Sequence, residues 1–485
     1  MSEPVFVGLD LGTSSLKGLA LSPEGEVLAR AQAAYPTARP GHGRAEQDPH
    51  DWIEAAVAVV GELAAAVPAE RWEALGLAGM IPTLVLADGQ GEPVGPAITW
   101  QDDRAQAEGD ALREELGADL VYRRTGQWLD GRYLVPMFRW VERAEPERAE
   151  RTARLLGAKD HLFGWLTGEV ATDPSTATGS GCFDLEAGAW APDLAGVEAG
   201  LLPEVRTSTS TAPLAGDAAH DLGLREGLPV CLGAADSVAG ALGLGVRASG
   251  DCAYLAGTST VILGVSERLV TDPEHRFLVT PLALGDGLGL EMDLVSTGSA
   301  IAWAATLLGL SGDEAEVLET AARSEPGARG LVFLPYLGHG EQGALWDPDL
   351  RGAIVGLSLV HGREDVARAL VEGVVLESRR CVQVLDEAGV APTEILAAGG
   401  AFASGLFPEL LAGATGRPVL LPEDGAASAR GAALLAAVSV GAAIEQGGVI
   451  LARSEPDPSA APLWAELWER HERVRASVRS RGASA

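Results

Sequence analysis

The opening of the chain alternates apolar and polar positions with the two-residue period of strands, over Val5–Asp10, Leu16–Leu21 and Glu26–Ala33. Gly12-Thr13-Ser14-Ser15 and Ser22-Pro23-Glu24-Gly25 separate these runs, and both are rich in turn formers, so a meander of hairpins is predicted. From Asp48 the period lengthens. Asp48 is placed as an N-cap and Pro49 as the first helical residue, with Trp52, Ala56, Val59 and Leu63 on one face. Strand-like Ala74–Gly79 and Leu84–Ala87 follow, then a turn at Asp88-Gly89 and an extended run ending in Trp100-Gln101-Asp102-Asp103-Arg104. Helical patterns alternate with loops to about Leu228, and the polar run Arg206–Thr211 reads as a surface loop. Pro229–Leu232 predicts a short buried strand that leads through Gly233-Ala234-Ala235-Asp236 into a helix of small residues ending near Gly245.

Beyond Asp251 the opening pattern returns. Leu9-Asp10-Leu11-Gly12-Thr13-Ser14 followed by a strand has its counterpart in Leu255-Ala256-Gly257-Thr258-Ser259 followed by Val261–Ser266. Two strand, Gly-Thr-Ser turn, strand units half a chain apart predict two related domains, 1–247 and 248–485. Chance is the competing explanation, because Gly, Thr and Ser are ordinary turn residues. Further strands are predicted at Leu331–Tyr336, Ile395–Ala398 and Pro418–Leu421, and helices at Glu364–Glu387, Leu406–Ala414 and Ser428–Val440. The loop His339–Arg351 is rich in Gly, Asp and Pro, and the tail from Ser454 predicts a terminal helix on the surface.

Composition narrows the class. With 47% apolar and 21% charged residues the chain has the mix of a soluble globular protein, and no apolar run is long enough to span a membrane. The N-terminus lacks a basic region and enters strand-like sequence at once, so a cytoplasmic location is expected. A net charge of −32 opposes binding to nucleic acid or an anionic membrane. The 4 cysteines show no CxxC spacing, which argues against a zinc module or disulfide framework. Only two basic residues are lysines, Lys17 and Lys159; where arginine has replaced lysine so widely, these two are candidates for positions that need a compact ammonium donor.

The chemistry centres on the glycine-bearing turns. Backbone N–H groups and hydroxyls at a Gly-Thr-Ser turn can converge on phosphate oxygens. Two such turns, at Gly12-Thr13-Ser14 and Gly257-Thr258-Ser259, with Gly399-Gly400-Ala401 at a strand-to-helix junction, describe a nucleotide site; neither GxxxxGK[ST] nor GxGxxG is present. Lys17 follows the first turn and can reach back to a phosphate, the alternative being a solvated strand lysine. Asp10 and Asp236 each lie in or just after a short apolar strand, where a carboxylate is desolvated unless paired. Two carboxylates beside phosphates suit magnesium-dependent phosphoryl transfer, one near the metal and one accepting the proton of the attacking hydroxyl. For Asp236 the plainer alternative is an ordinary N-cap.

Val7-Gly8-Leu9-Asp10-Leu11-Gly12-Thr13-Ser14-Ser15-Leu16-Lys17 resembles the first phosphate loop of the FGGY carbohydrate kinases, and most closely that of xylulokinases. The resemblance recurs in order at Trp100–Arg104, Lys159-Asp160-His161-Leu162, Leu166-Thr167-Gly168-Glu169, Gly233–Asp236, Gly257-Thr258-Ser259, Phe333–Leu337, Gly399-Gly400-Ala401 and Gly431-Ala432-Ala433. It implies an α/β fold of two actin-like (ribonuclease H-like) domains flanking a catalytic cleft, and ATP- and Mg²⁺-dependent phosphorylation of a small sugar or polyol. By the same resemblance Asp236 matches the catalytic base, Asp10 the carboxylate near magnesium with Asp236 beside it, and Gly12, Thr13, Ser14 and Lys17 the first phosphate loop. Gly257, Thr258 and Ser259 match the second loop, and Gly399, Gly400 and Ala401 the segment beside the adenosine. Trp100, Asp102 and Arg104 match substrate-side positions, and Lys159 is read as structural, pairing a carboxylate between layers. Relatives often form homodimers, though no sequence feature marks an interface.

The departures fall at the sugar end. Where xylulokinases usually carry Gln-Met-His-Gly, this chain has Met80-Ile81-Pro82-Thr83, and where Gly-Glu-Arg is expected after Leu337 it has Gly340-Glu341-Gln342. Loss of polar groups at Met80 and Pro82, with added apolar bulk at Ile81, predicts that D-xylulose is a poor substrate, unless side chains such as Gln101, Asp102 or Gln127 replace the lost bonds. The rival to a kinase is a nucleotide-binding regulator of the same fold; retention of Asp236 opposes it and the altered sugar end favours it.

Overall fold

The computed structural model describes residues 3–310, 314–338, 343–347, 350–423, 426–444 and 449–482. The chain divides into two compact units, Met1–Arg247 with Val279–Gly289 and Ala426–Gly448, and Ala248–Leu278 with Leu290–Gly425 and Val449–Ala485. The first unit thus runs to Arg247, and two later segments are counted with it.

The first unit is built on a six-stranded sheet. Its strands β1 (Val5–Leu11), β2 (Ser15–Leu21) and β3 (Val27–Ala34) form the predicted antiparallel meander. On the other side of β1 lies Trp72–Gly79, parallel to it, and then Pro229–Ala235, parallel again. All seven residues of β1 are buried, because both faces of this central strand are covered, whereas β3 is mostly exposed. Gly18 and its partner Leu9 face one side, and a Cβ at Gly18 would come within 2.4 Å of Val59 on helix α1 (Pro49–Ala66). On the opposite face the helix Ala427–Ser439 lies so close that a Cβ at Gly8 would sit 2.0 Å from the Ala429 carbonyl oxygen, and one at Gly76 2.1 Å from that of Ala432. At Gly8 and Gly76 the absence of a side chain therefore lets backbone meet backbone.

α1 begins as predicted, with the Asp48 carboxylate accepting from His50 N–H and Trp52, Ala56, Val59 and Leu63 buried. A second, four-stranded sheet of the unit, in the order Glu46–Gln47, Ala97–Thr99, Thr83–Ala87, Arg154–Leu156, carries the segments expected to face a sugar.

The second unit repeats the motif at the core of the first. Cys252–Ala256 pairs antiparallel with Thr260–Ser266 and parallel with Ile395–Gly399, as β1 pairs with β2 and Trp72–Gly79. Val419–Pro422 and Ile450–Ser454 extend this sheet, and the 25-residue helix Arg363–Glu387 packs in the unit with 18 of its residues buried.

Three expectations need correction. Arg206–Thr211 is not simply a surface loop, because Ser208 is buried and its carbonyl accepts from Gly233 N–H at 2.9 Å. The terminal helix Ala461–Gly482 is not merely superficial: Trp464, Leu467 and His471 are buried, and His471 Nε2 lies 2.6 Å from Glu377 Oε1. Between Arg104 and Leu228 several strands of two or three residues, among them Arg154–Leu156 and Ala171–Thr172, interrupt what reads as helix and loop; segments so short carry no detectable period.

Candidate active site

In the first unit the turn between β1 and β2 is tied down from several sides. Gly12 N–H donates to Ser15 O at 3.1 Å. Gln47 Nε2 donates to Thr13 O at 2.7 Å, and the Trp100 indole N–H donates to Thr13 Oγ1 at 3.1 Å. Tyr35 donates its hydroxyl to Gly12 O and its N–H to Ser14 O. Ser14 is exposed, and Gly12, Thr13 and Lys17 are half-buried.

Asp10 stands opposite Lys17 in the β1–β2 register. Burial pushes its carboxyl up to about 6, and the Lys17 charge pulls the other way. Its Oδ1 is buried without a hydrogen-bond partner among the described residues. Asp236 is the first residue of the helix Asp236–Leu244, whose N-cap is Ala235, so the N-cap reading of this aspartate does not hold. Asp236 Oδ1 accepts from Ser237 N–H at 2.9 Å, and its carbonyl accepts from Ser428 Oγ at 2.9 Å.

Strand register brings the two carboxylates to one end of the sheet. Asp10 aligns with Ala78 and Ala78 with Ala234, so Ala234 lies two strands over, roughly 10 Å from Asp10 at the usual strand spacing, and Asp236 follows two residues further on. The Tyr35 hydroxyl is held far above its ordinary value by burial, then by the charges of Asp10 and of Asp236, so both carboxylates act on one phenol. Tyr35 and Gln47 hold this turn, and the sequence reading did not single them out. Tyr35 follows an exposed strand and Gln47 precedes a helix; neither position carries a signature of its own.

In the second unit Gly257, Thr258 and Ser259 form the matching turn, with Gly257 N–H donating to Ser259 O at 2.8 Å and Thr258 O accepting from Ser299 N–H at 3.0 Å. Gly399 abuts this hairpin. At φ +125°, with a Cβ position 1.8 Å from Ala256 O, it admits no other residue. Gly400 is exposed and Ala401 buried, beside an edge-to-face cluster of Tyr254, Phe402 and Phe407. Thus the second turn and Gly399-Gly400-Ala401 come together.

The substrate-side residues divide. Asp102 and Arg104 are bound to each other: Asp102 Oδ2 accepts from Ala45 N–H and Arg104 Nη2, both at 2.6 Å, and Arg104 also reaches Glu46 at 2.6 Å, while Arg104 Nη1 is buried without a hydrogen-bond partner among the described residues. They brace the wall that carries Trp100. Met80 is buried in the core, its N–H donating to Leu11 O at 2.9 Å, so its side chain does not face solvent. Ile81 and Pro82 are half-buried and line, with Thr83, Gly179 and Trp190, a small cavity of about 10 Å³. Residues 340–342 lie outside the described residues. Lys159 is fully buried and ion-pairs with Asp160 at 2.9 Å and Asp173 at 3.2 Å, as expected of a structural lysine.

Two family models cover this architecture: the N-terminal domain of the FGGY family of carbohydrate kinases matches residues 5–243, and the C-terminal domain of the same family residues 252–440. The chain belongs to the FGGY family of carbohydrate kinases. A xylulose kinase of Escherichia coli K12 is 31% identical over 442 residues, covering 90% of each chain. A gluconokinase of Bacillus subtilis is 28% identical over 90% of this chain and 88% of its own, and a glycerol kinase of Alkalilimnicola ehrlichii 32% over 90% of each. Among solved structures, a xylulose kinase from Rhodospirillum rubrum superposes with a TM-score of 0.89 at 31% identity, over 99% of this chain and all of that one. This FGGY protein is thus a sugar kinase whose relatives differ in substrate. Among the described residues no helix is long and apolar enough to cross a membrane.

Proposed function

We propose that this FGGY kinase transfers the γ-phosphate of ATP to a hydroxyl of a small sugar or sugar derivative, with Asp236 as general base. The observation that carries the reading is the placement of two carboxylates at the same end of the parallel strands, near a turn whose exposed hydroxyl and backbone suit phosphate. Asp236 accepts the proton of the attacking hydroxyl. Gly12, Thr13, Ser14 and Lys17, and in the second unit Gly257, Thr258 and Ser259, hold phosphate oxygens; Gly399, Gly400 and Ala401 lie beside the adenosine.

A magnesium ion fits the residues present. Asp10 offers a buried carboxylate oxygen without a partner among the described residues, a hard donor of the type Mg²⁺ takes. Asp10 would hold the ion, with Asp236 as second carboxylate, and the bound ion would neutralise charge on the transferring phosphate. A regulator without phosphotransfer would not need Asp236 presented at a helix start beside such an oxygen donor.

On substrate, the reading is xylulokinase-like in outline, a ketopentose or related sugar or polyol, with a sugar end that no longer favours D-xylulose. Ile81 and Pro82 present apolar surface, and Pro82 lacks an N–H. Each sugar hydroxyl desolvated without a partner costs about 1–3 kcal/mol, so one such loss, at Pro82, weakens binding roughly 5- to 150-fold. A coupled ADP-release assay over ketoses, aldoses, aldonates and polyols tests this. Highest kcat/KM on a substrate other than D-xylulose is expected; a sub-millimolar KM and the best kcat/KM on D-xylulose would contradict it.

A further inference from the structure

The strand that delivers Asp236 is not regular. Its pairing with Trp72–Gly79 shifts register between Cys231 and Ala234, and Gly233 at φ +78° sits where a Cβ would come within 1.6 Å of Leu77 O. This bulge re-aims Ala234, Ala235 and Asp236. Its backbone groups are held from outside the sheet. Leu232 O accepts from Lys159 Nζ at 3.1 Å, Gly233 N–H donates to Ser208 O at 2.9 Å, and Ala235 N–H donates to Ser175 Oγ at 2.9 Å.

All three anchors converge on one carboxylate. Asp173 receives Lys159 Nζ at 3.2 Å, Ser208 Oγ at 3.2 Å, Thr176 Oγ1 at 2.6 Å, and both the N–H and the hydroxyl of Ser175. Lys159, Asp173 and Ser175 are fully buried, so these bonds operate where an unmade one is costly. The ammonium has three donors and meets three acceptors, on Asp160, Asp173 and Leu232. An arginine's planar fork cannot address three points so arranged, which explains a lysine in a chain that otherwise uses arginine.

We propose that Lys159, Asp173 and Ser175 form a relay that positions the base: Asp173, fixed by Lys159, orients the Ser175 hydroxyl, which holds Ala235 N–H and so sets where the Asp236 carboxylate lies. They are positioning residues, and the inference rests on Asp236 being the base. Ser175→Ala removes one oxygen and leaves Ala235 N–H without its acceptor. It is expected to lower kcat on the order of 10- to 100-fold, the scale of a small misplacement of a reacting group, with KM for ATP and sugar near wild type. Ser175→Thr, which keeps the hydroxyl, should recover most of the loss.

The test is a double-mutant cycle of Ser175→Ala with Asp236→Asn, turnover being normalised to ATP-binding protein. If Ser175 acts through Asp236, Ser175→Ala costs little or nothing further once Asp236 is Asn. Losses that multiply independently, or wild-type kcat in Ser175→Ala beside an inactive Asp236→Asn, overturn the relay while leaving the base in place. Wild-type turnover in Asp236→Asn removes the base and the relay together. Should Ser175→Ala not fold, Ser175→Cys, which puts a weak sulfur acceptor in place of the hydroxyl that holds Ala235 N–H, is expected to give the same pattern, and wild-type kcat there overturns the relay.

Discussion

Asp10 shows most plainly the conflict between stability and chemistry at a single residue. Its carboxyl is pushed up to about 6 by burial from an ordinary 3.8, against the pull of Lys17. The folded value lies above the unfolded one, so this group favours the folded state at low pH and loses that contribution as pH rises through about 6. Asp10→Asn should therefore raise the thermal midpoint at neutral pH, with a gain that shrinks on acidification, while lowering turnover with MgATP. An unchanged midpoint at neutral pH would mean the carboxylate carries no burial penalty. Tyr35 poses a smaller question. Tyr35→Phe leaves Gly12 O without its hydroxyl donor, a loss of about 1–2 kcal/mol, so KM for ATP should rise roughly 5- to 30-fold with kcat little altered. Initial-rate kinetics in ATP check it, and an unchanged KM would show that the turn holds its shape unaided.

At the level of elements, the sequence was most readable where period and punctuation agreed. The β1–β3 meander, the Asp48 cap of α1 and the second Gly-Thr-Ser hairpin all lie where apolar spacing and turn residues place them. Asp10, Asp236 and the two turns could be singled out because they sit at the ends of such elements. Asp173, Ser175 and Ser208 were not, since a buried polar network depends on which loops meet in space and leaves no period. The burial of Met80 was hidden for the same reason: next to Gly79 it continues a strand into the core. Helix–sheet contact makes a sharp prediction. Gly8→Ala or Gly76→Ala forces a methyl to within about 2 Å of the helix backbone, for which neither element has slack. Both should lower the thermal midpoint sharply or prevent folding. Gly61→Ala, on the exposed side of α1 with nothing within 4 Å, should stabilise by about 1 kcal/mol. Equal effects at the three sites, measured by thermal denaturation, would contradict the close-packing account of the glycines.

For the whole molecule, the strand, turn, strand motif with a parallel neighbour occurs once in each unit, and each copy presents a Gly-Thr-Ser turn. The first copy differs in having Asp10 on β1 and Asp236 beyond its neighbouring strands, and the proposed function assigns phosphoryl transfer to it on that ground. Sugar-dependent ADP release by wild type and Asp236→Asn, at saturating MgATP and with ATP affinity measured alongside, tests this most directly. Asp236→Asn is expected to bind ATP as wild type does and to lose turnover by several orders of magnitude, whereas wild-type turnover in that variant would contradict the account.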